Sequence, residues 1–228
     1  TETWNGSSWT ETPDLNTGRY GLAGSGASST DALVFGGESP APGFFANTES
    51  WDGSSWTEVN DMATGRYYLA GAGTSSSAWA ASGETTTSSS ATEEWTFSGL
   101  DPSTTPAADY ADAITGDFYY NSTTGQFKTV NTGGAPIGTW ASGGSLNTGR
   151  AWLGGAGQIT AALAFGGETP SKVTNTEKYD GTSWTEVNDL NTARDALAGT
   201  GTQTAALASG GGTGSPSALT ELWNGTSW

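Results

Sequence analysis

The stretch TEKYDGTSWTEVNDLNTARDALAGTGTQTAALASGG, residues 176–211, holds almost one whole period of this chain and decides its fold. An aromatic residue, Tyr179, leads into a turn carrying Asp180-Gly181, and a second aromatic, Trp184, follows it. Ten residues later Arg194 closes the step N-T-A-R. Small residues then run to Gly201, and an apolar segment ends at the pair Gly210-Gly211. The same order recurs along the chain. The first aromatic slot holds Trp4, Trp51, Trp95, Tyr179 and Trp223, and the second holds Trp9, Trp56, Trp140, Trp184 and Trp228. Arg19, Arg66, Arg150 and Arg194 are the only arginines, each ten residues beyond Trp9, Trp56, Trp140 or Trp184.

Each unit offers four short apolar segments separated by turn signals, which predicts a four-stranded antiparallel sheet. The apolar runs are too short for helices, and no stretch keeps a helical period. Sheets repeating every ~44 residues predict the blades of a β-propeller, with the small-residue strand at the crowded centre. Asn5-Gly6, Asp52-Gly53, Asp180-Gly181 and Asn224-Gly225 join the two slots, as hairpin turns do. A four-residue loop makes Trp4 face Trp9, whereas a two-residue turn shifts that register. The recurrence of two aromatics favours the facing pair. The slot tryptophans are expected to be buried in the core. Four segments run from an arginine to a glycine pair, but five carry the aromatic slots. TETWNGSSW (1–9) and TELWNGTSW (220–228) compete for one place in a closed ring of four. The expectation is about five blades, within a range of four to six, in a single domain over 1–228.

Composition narrows the function. The chain has 228 residues, of which 35 are Gly and only 13% are charged, yet it carries 11 Trp, 7 Tyr and 7 Phe, too many aromatics for a disordered segment. Its net charge of −16 argues against nucleic acid and anionic membrane surfaces. No apolar run is long enough for a membrane-spanning helix, so no membrane insertion is expected. With no Cys and no His, thiol nucleophiles and Cys/His zinc sites are excluded. The chain opens at Thr1 without Met or a signal peptide, which is expected of a mature product or of a window from a longer protein.

An arginine, an apolar strand ending in Gly-Gly, an aromatic and a nearby Trp resemble the kelch repeat, whose fold is a β-propeller. Arg19, VFGG (34–37), ESW (49–51) and Trp56 carry the resemblance, and the second unit departs from it with Ser82-Gly83. Kelch-type copper oxidases share that fold, but copper asks for ligands such as His, and none is present. Residues 96–139 form an insert between the two slots of the third unit. Its segment GDFYYNSTTGQFKTV (116–130) reads as a β-hairpin and resembles hairpin modules of bacteriophage tail fibres and other virion appendages. That resemblance implies an extracellular or virion-surface location.

The candidate functional residues follow from what the repeat leaves over. The arginines are expected to be scaffold, pairing between blades with carbonyls or with Glu2, Glu49, Glu94, Glu177 and Glu221, or with Asp14, Asp61 and Asp189. Trp9, Trp56, Trp140 and Trp184 are scaffold in the same sense. Tyr119 and Tyr120 in the insert, and Phe44 and Phe45 in the variable loop 38–47, are the candidate ligand- or partner-binding residues. Asp101, Asp109, Asp112 and Asp117 match no calcium loop and read as solvated charges. The sequons at Asn5, Asn121 and Asn224 have a plainer reading at Asn5 and Asn224, where the asparagine makes the turn. No catalytic residue, metal or cofactor is assigned. The expected function is a non-enzymatic structural or adhesive module that displays loops to other appendage proteins, to further copies of itself or to cell-surface glycans. A purely architectural, self-assembling module is the alternative, and a polysaccharide hydrolase using Asp109 and Asp117 is a weaker one.

Overall fold

The computed structural model describes residues 1–39, 43–97, 118–121, 126–129 and 138–228. Among them there is no helix; the chain is all-β and forms a four-blade β-propeller of antiparallel sheets. The N-terminal hairpin pairs β1 (Glu2–Trp4) with β2 (Trp9–Glu11). Blade 1 contains β3 (Ala23–Ser28), β4 (Asp31–Phe35), β5 (Thr48–Trp51) and β6 (Trp56–Val59), in that order. Blade 2 starts with β7 (Ala70–Gly73), β8 (Ser77–Ala81) and β9 (Thr92–Phe97). A separate hairpin follows, β10 (Phe118–Asn121) with β11 (Gln126–Thr129), before β12 (Gly138–Ser142) completes blade 2 beside β9.

Blade 3 contains β13 (Gly154–Gln158) and β14 (Ala161–Phe165). The two-residue strands β15 (Glu168–Thr169) and β16 (Ser171–Lys172) form a short hairpin of their own before β17 (Thr176–Tyr179) and β18 (Trp184–Glu186) finish the blade. Blade 4 has β19 (Ala198–Thr202), β20 (Ala205–Ser209) and β21 (Thr220–Trp223), with Trp228 beyond the turn. The count of four lies within the expected range. The fifth aromatic-slot segment is the N-terminal hairpin, which pairs with no other strand among the described residues.

The turns explain why the slots face each other. Asn5, Asp52, Asp180 and Asn224 each accept two backbone N–H bonds, from the residues two and three positions on, at 2.8–2.9 Å. The Ser54 hydroxyl, then the two backbone bonds, hold Asp52 below the usual carboxylate range, and the backbone bonds from Ser183 and Thr182 do the same for Asp180. The following glycines take φ of 92–97°, a conformation that costs glycine little. Trp4 therefore pairs with Trp9, Trp51 with Trp56 and Tyr179 with Trp184. The longer connection of blade 2 keeps the rule, because Trp95 pairs with Trp140.

The inner strands β3, β7, β13 and β19 pack in succession. Their glycines make room for large residues of the preceding blade. A Cβ at Gly71 would lie 2.5 Å from Phe35, one at Gly155 2.7 Å from Trp79, and one at Gly199 2.7 Å from Phe165. Trp140, Trp184 and Trp228 then meet Phe35, Trp79 and Phe165 edge-on, with ring centroids 4.7–5.7 Å apart. The core thus lies in three seams between blades. Trp4 and Trp9 do not join it: they are 46% and 65% exposed, because the hairpin has no inner strands to lie against.

Each arginine side chain is fully buried and bonds a carboxylate of its own blade. Arg19 reaches Glu49 at 2.9 Å, Arg66 reaches Glu93 at 2.9 Å, Arg150 reaches Glu177 at 2.6 Å and Arg194 reaches Glu221 at 2.8 Å. Two expectations are corrected here. The pairs lie within blades, since the arginine begins a blade and the glutamate sits on its third strand. Arg66 uses Glu93, because Glu94, one residue on, projects from the other face of β9 and accepts the Tyr179 hydroxyl at 2.5 Å. Burial pulls the Arg19 and Arg66 guanidinium groups down from their ordinary range, with Glu49 and Glu93 opposing that shift. It is the arginine backbone that crosses the seams: the N–H groups of Gly37, Gly83 and Gly167 donate to the carbonyls of Arg66, Arg150 and Arg194 at 2.8–2.9 Å. Asp61 and Asp189 accept from the backbone of Thr48 and Thr176, and Asp14 pairs with the terminal amine.

Candidate binding site

Two residues past each arginine the chain turns into the inner strand through a left-handed conformation. Gly21, Tyr68, Trp152 and Ala196 occupy this position, with φ of 64°, 53°, 60° and 49°. The four are linked across the blades by backbone bonds. Tyr68 donates to Gly21 at 2.7 Å, Trp152 to Tyr68 at 2.9 Å and Ala196 to Trp152 at 2.8 Å. The turn demands this backbone, and glycine supplies it at least cost. A bulky aromatic held there costs about 1–3 kcal/mol, and strain of this kind gathers at functional sites. Blades 2 and 3 nevertheless place Tyr and Trp at the position.

Those side chains begin a ladder of rings. Trp152 stacks on Tyr68 with centroids 3.3 Å apart and an interplanar angle of 20°. Tyr68 meets Tyr67 at 4.4 Å, and Phe44 lies flat on Tyr67 at 5.0 Å and 3°. Phe44 is brought there by its bridge to Glu38, which also bridges Tyr20. Tyr20 and Phe44 are exposed, while Tyr67, Tyr68 and Trp152 are half-buried. Gly21 has no side chain because a Cβ would lie 2.9 Å from the Tyr68 ring.

Carboxylates follow the glycine pairs and border the rings. Glu38 bridges Tyr20, Glu84 bridges Tyr67 and Glu168 bridges Ala151. The bond from the Tyr67 hydroxyl to Glu84 pushes that phenol up to about 12. Burial, then the charge of Glu38 and a bond to it, raises Tyr20. Tyr68 is raised by burial and by the charges of Glu38 and Glu84. All three phenols stay neutral at ordinary pH and can donate or accept hydrogen bonds. The far side differs: Ala196 replaces the ring, and Lys172 pairs with Asp195.

The inner strands also line a cavity of about 640 Å³, walled by Gly, Ala, Ser, Thr and Gln. It offers neither charged groups nor rings. The ladder is therefore where flat apolar faces and oriented polar groups converge.

Of the residues singled out from the sequence, Phe44 stands in the ladder. Phe45 is half-buried, its backbone bonded to Gly37 and Arg66. The arginines lie behind their glutamates with no exposed side-chain surface. Tyr119 and Tyr120 lie on β10, paired with Lys128 and Phe127, and their side chains fall outside the described residues. Asp101, Asp109, Asp112 and Asp117 fall outside them too. Tyr20, Tyr67, Tyr68 and Trp152 went unnoticed in the sequence. Their signal is the pair of residues after each arginine, Tyr-Gly, Tyr-Tyr, Ala-Trp and Asp-Ala, which varies where the rest of the repeat holds constant. No protein-family model matches the chain, and no curated protein matches its sequence.

Proposed function

We propose that this propeller is a non-enzymatic binding and display module, and that its ligand is a neutral, hydroxyl-rich glycan laid along the ladder Phe44–Tyr67–Tyr68–Trp152. The observation that supports it best is the pair of strained aromatics, Tyr68 and Trp152, at a position that glycine or alanine fills in the neighbouring blades. Stacked rings offer flat apolar faces to the C–H face of a sugar. Glu38, Glu84 and the tyrosine hydroxyls stand beside them to meet its hydroxyl groups. The net charge of −16 disfavours acidic polysaccharides as ligands. The tail-fibre-like character of the sequence supports an extracellular or virion-surface setting, with cell-surface glycans as the partner.

The test is a screen of immobilised neutral and acidic glycans, followed by titration of any hit against Trp152→Ala and Tyr68→Gly. Ala196 and Gly21 show that both replacements suit this backbone. Each variant is expected to weaken binding at least tenfold without loss of folding. Absence of binding across the screen, or unchanged binding by both variants, would sink the reading.

A further inference from the structure

The four slot-joining turns fall into two pairs that differ at one polar residue. WNGSSW at 4–9 matches WDGSSW at 51–56 except that Asn5 stands for Asp52. Behind the leading aromatic, NGTSW at 224–228 matches DGTSW at 180–184 except that Asn224 stands for Asp180. An asparagine followed by glycine can be attacked by its own backbone, because glycine puts no Cβ beside the next nitrogen.

The two asparagine turns are set up for that attack. Asn5 Oδ1 accepts from the N–H groups of Ser7 and Ser8 and from the Ser7 hydroxyl, each at 2.9 Å. Asn224 Oδ1 accepts from the N–H groups of Thr226 and Ser227, both at 2.9 Å. Donors aimed at a carbonyl oxygen stabilise the charge that gathers there when a nucleophile adds to its carbon. The nucleophile is the next nitrogen in the chain. Among the described residues, the N–H groups of Gly6 and Gly225 bond to nothing, and no donor bonds the main-chain carbonyl of Asn5 or Asn224. The leaving nitrogen faces a hydroxyl: Asn5 Nδ2 donates to Ser8 at 3.1 Å and Asn224 Nδ2 to Ser227 at 3.4 Å.

The sister turns show the product in place. Asp52 accepts from the N–H groups of Ser54 and Ser55 and from the Ser54 hydroxyl, each at 2.8 Å. Asp180 accepts from Thr182 and Ser183 at 2.8–2.9 Å. The last serine of the turn only reverses its hydroxyl. Ser55 donates to Asp52 Oδ2 at 3.2 Å and Ser183 to Asp180 Oδ2 at 3.5 Å, where Ser8 and Ser227 accept from an amide. The glycine keeps φ of 92–97° in all four turns. A carboxylate therefore fits the asparagine turns with the backbone unmoved, and N–H donors bind an ionised acceptor more strongly.

We propose that Asn5 and Asn224 are self-modifying sites, at which each turn converts its own asparagine to aspartate. Gly6 N adds to Asn5 Cγ and gives its proton to solvent. The Cγ–Nδ2 bond breaks, and ammonia leaves with a proton from solvent, so that a cyclic imide remains. Water adds to Cγ, the bond from Cγ to Gly6 N breaks, and that nitrogen regains a proton. Gly225 N does the same at Asn224. Opening of the imide at the main-chain carbonyl gives isoaspartate, the larger product in unstructured chains. In these turns the donors face Oδ1, so water is directed to Cγ and aspartate is the larger product. Each conversion adds one negative charge to a chain that stands at −16.

The test holds the folded protein at mildly alkaline pH and follows its peptides by mass and by enzymatic methylation of isoaspartate. Exchange of ammonia for water is expected at Asn5 and Asn224, with aspartate in excess over isoaspartate at both and with melting unchanged. The same chain unfolded in urea is expected to give the reverse ratio. Ser7→Ala removes one donor to Asn5 Oδ1 at an exposed position. It is expected to slow conversion at Asn5 about threefold, the worth of one exposed hydrogen bond, and to leave Asn224 unchanged. Intact amides at both sites of the folded protein overturn the proposal, as does an excess of isoaspartate there. An unchanged rate at Asn5 in Ser7→Ala refutes the role given to the donors of the turn.

Discussion

WNGSSWTE at residues 4–11 and WDGSSWTE at residues 51–58 differ at one position, and their hairpins have nearly the same geometry. Trp4 and Trp9 sit 5.5 Å apart at 47°, Trp51 and Trp56 5.2 Å apart at 40°. Their surroundings differ completely. Trp51 is 4% exposed, whereas Trp4 and Trp9 are 46% and 65% exposed. Glu49 bonds Arg19 in the core, but Glu2 is exposed, and no arginine pairs with it among the described residues. Local sequence is thus enough for the hairpin, while burial of its rings and its glutamate requires two inner strands and an arginine from the same blade.

The largest expected contrast is at the glutamates. Glu177→Ala leaves Arg150 charged and unpaired in a fully buried site, at a cost of about 3–5 kcal/mol. Glu2→Ala, on the isolated hairpin, is expected to fall within about 0.5 kcal/mol of wild type. Denaturant unfolding of both variants checks this, and similar losses from the two would break the comparison.

The tryptophans come next. Truncating Trp51 to Ala removes a buried ring and is expected to cost about 3–5 kcal/mol, whereas Trp4→Ala should cost under about 1 kcal/mol. Melting of the pair decides the matter, and an equally damaging Trp4→Ala would mean that the hairpin is docked in solution.

The smallest effect is one of pH. Tyr179 fills the first slot of blade 3, and burial, then its bond to Glu94, pushes its phenol from 10.0 up to about 12. The raised value means that Tyr179 adds stability in full below pH 10, and that this share fades as pH climbs through 12. Tyr179→Phe is expected to flatten the fall in melting temperature over that window. A tyrosine placed in the hairpin by Trp4→Tyr should ionise near the ordinary value of about 10 in an ultraviolet titration. Ionisation of that tyrosine near 12 would show that the hairpin slot is buried after all.

What could be read in the sequence follows the same division. Asp-Gly and Asn-Gly at fixed distance between two aromatics set the turn and the facing pair, because those contacts are local. The Gly-rich inner strands were legible as the crowded ones for the same reason: their small size repeats in every unit. The choice between Glu93 and Glu94 was not, because adjacent residues on a strand face opposite ways and only the register of β9 assigns them. The ladder escaped notice because Tyr67, Tyr68 and Trp152 come from different units. Nothing in one repeat says that the turns after successive arginines lie side by side. The number of blades depended on whether residues 1–11 would find inner strands, which no local pattern encodes.

The room between blades is filled in two ways. Seams 1 and 3 place Leu33 with Phe35 and Leu163 with Phe165, whereas seam 2 places Trp79 with Ala81. Trp79 fills the space over Gly155 just as Phe35 does over Gly71 and Phe165 over Gly199. Bulk traded between the third and fifth positions of one strand therefore asks nothing new of the strand opposite: a single glycine position accepts either arrangement, so the large ring can move within its own blade while the neighbouring blade stays the same.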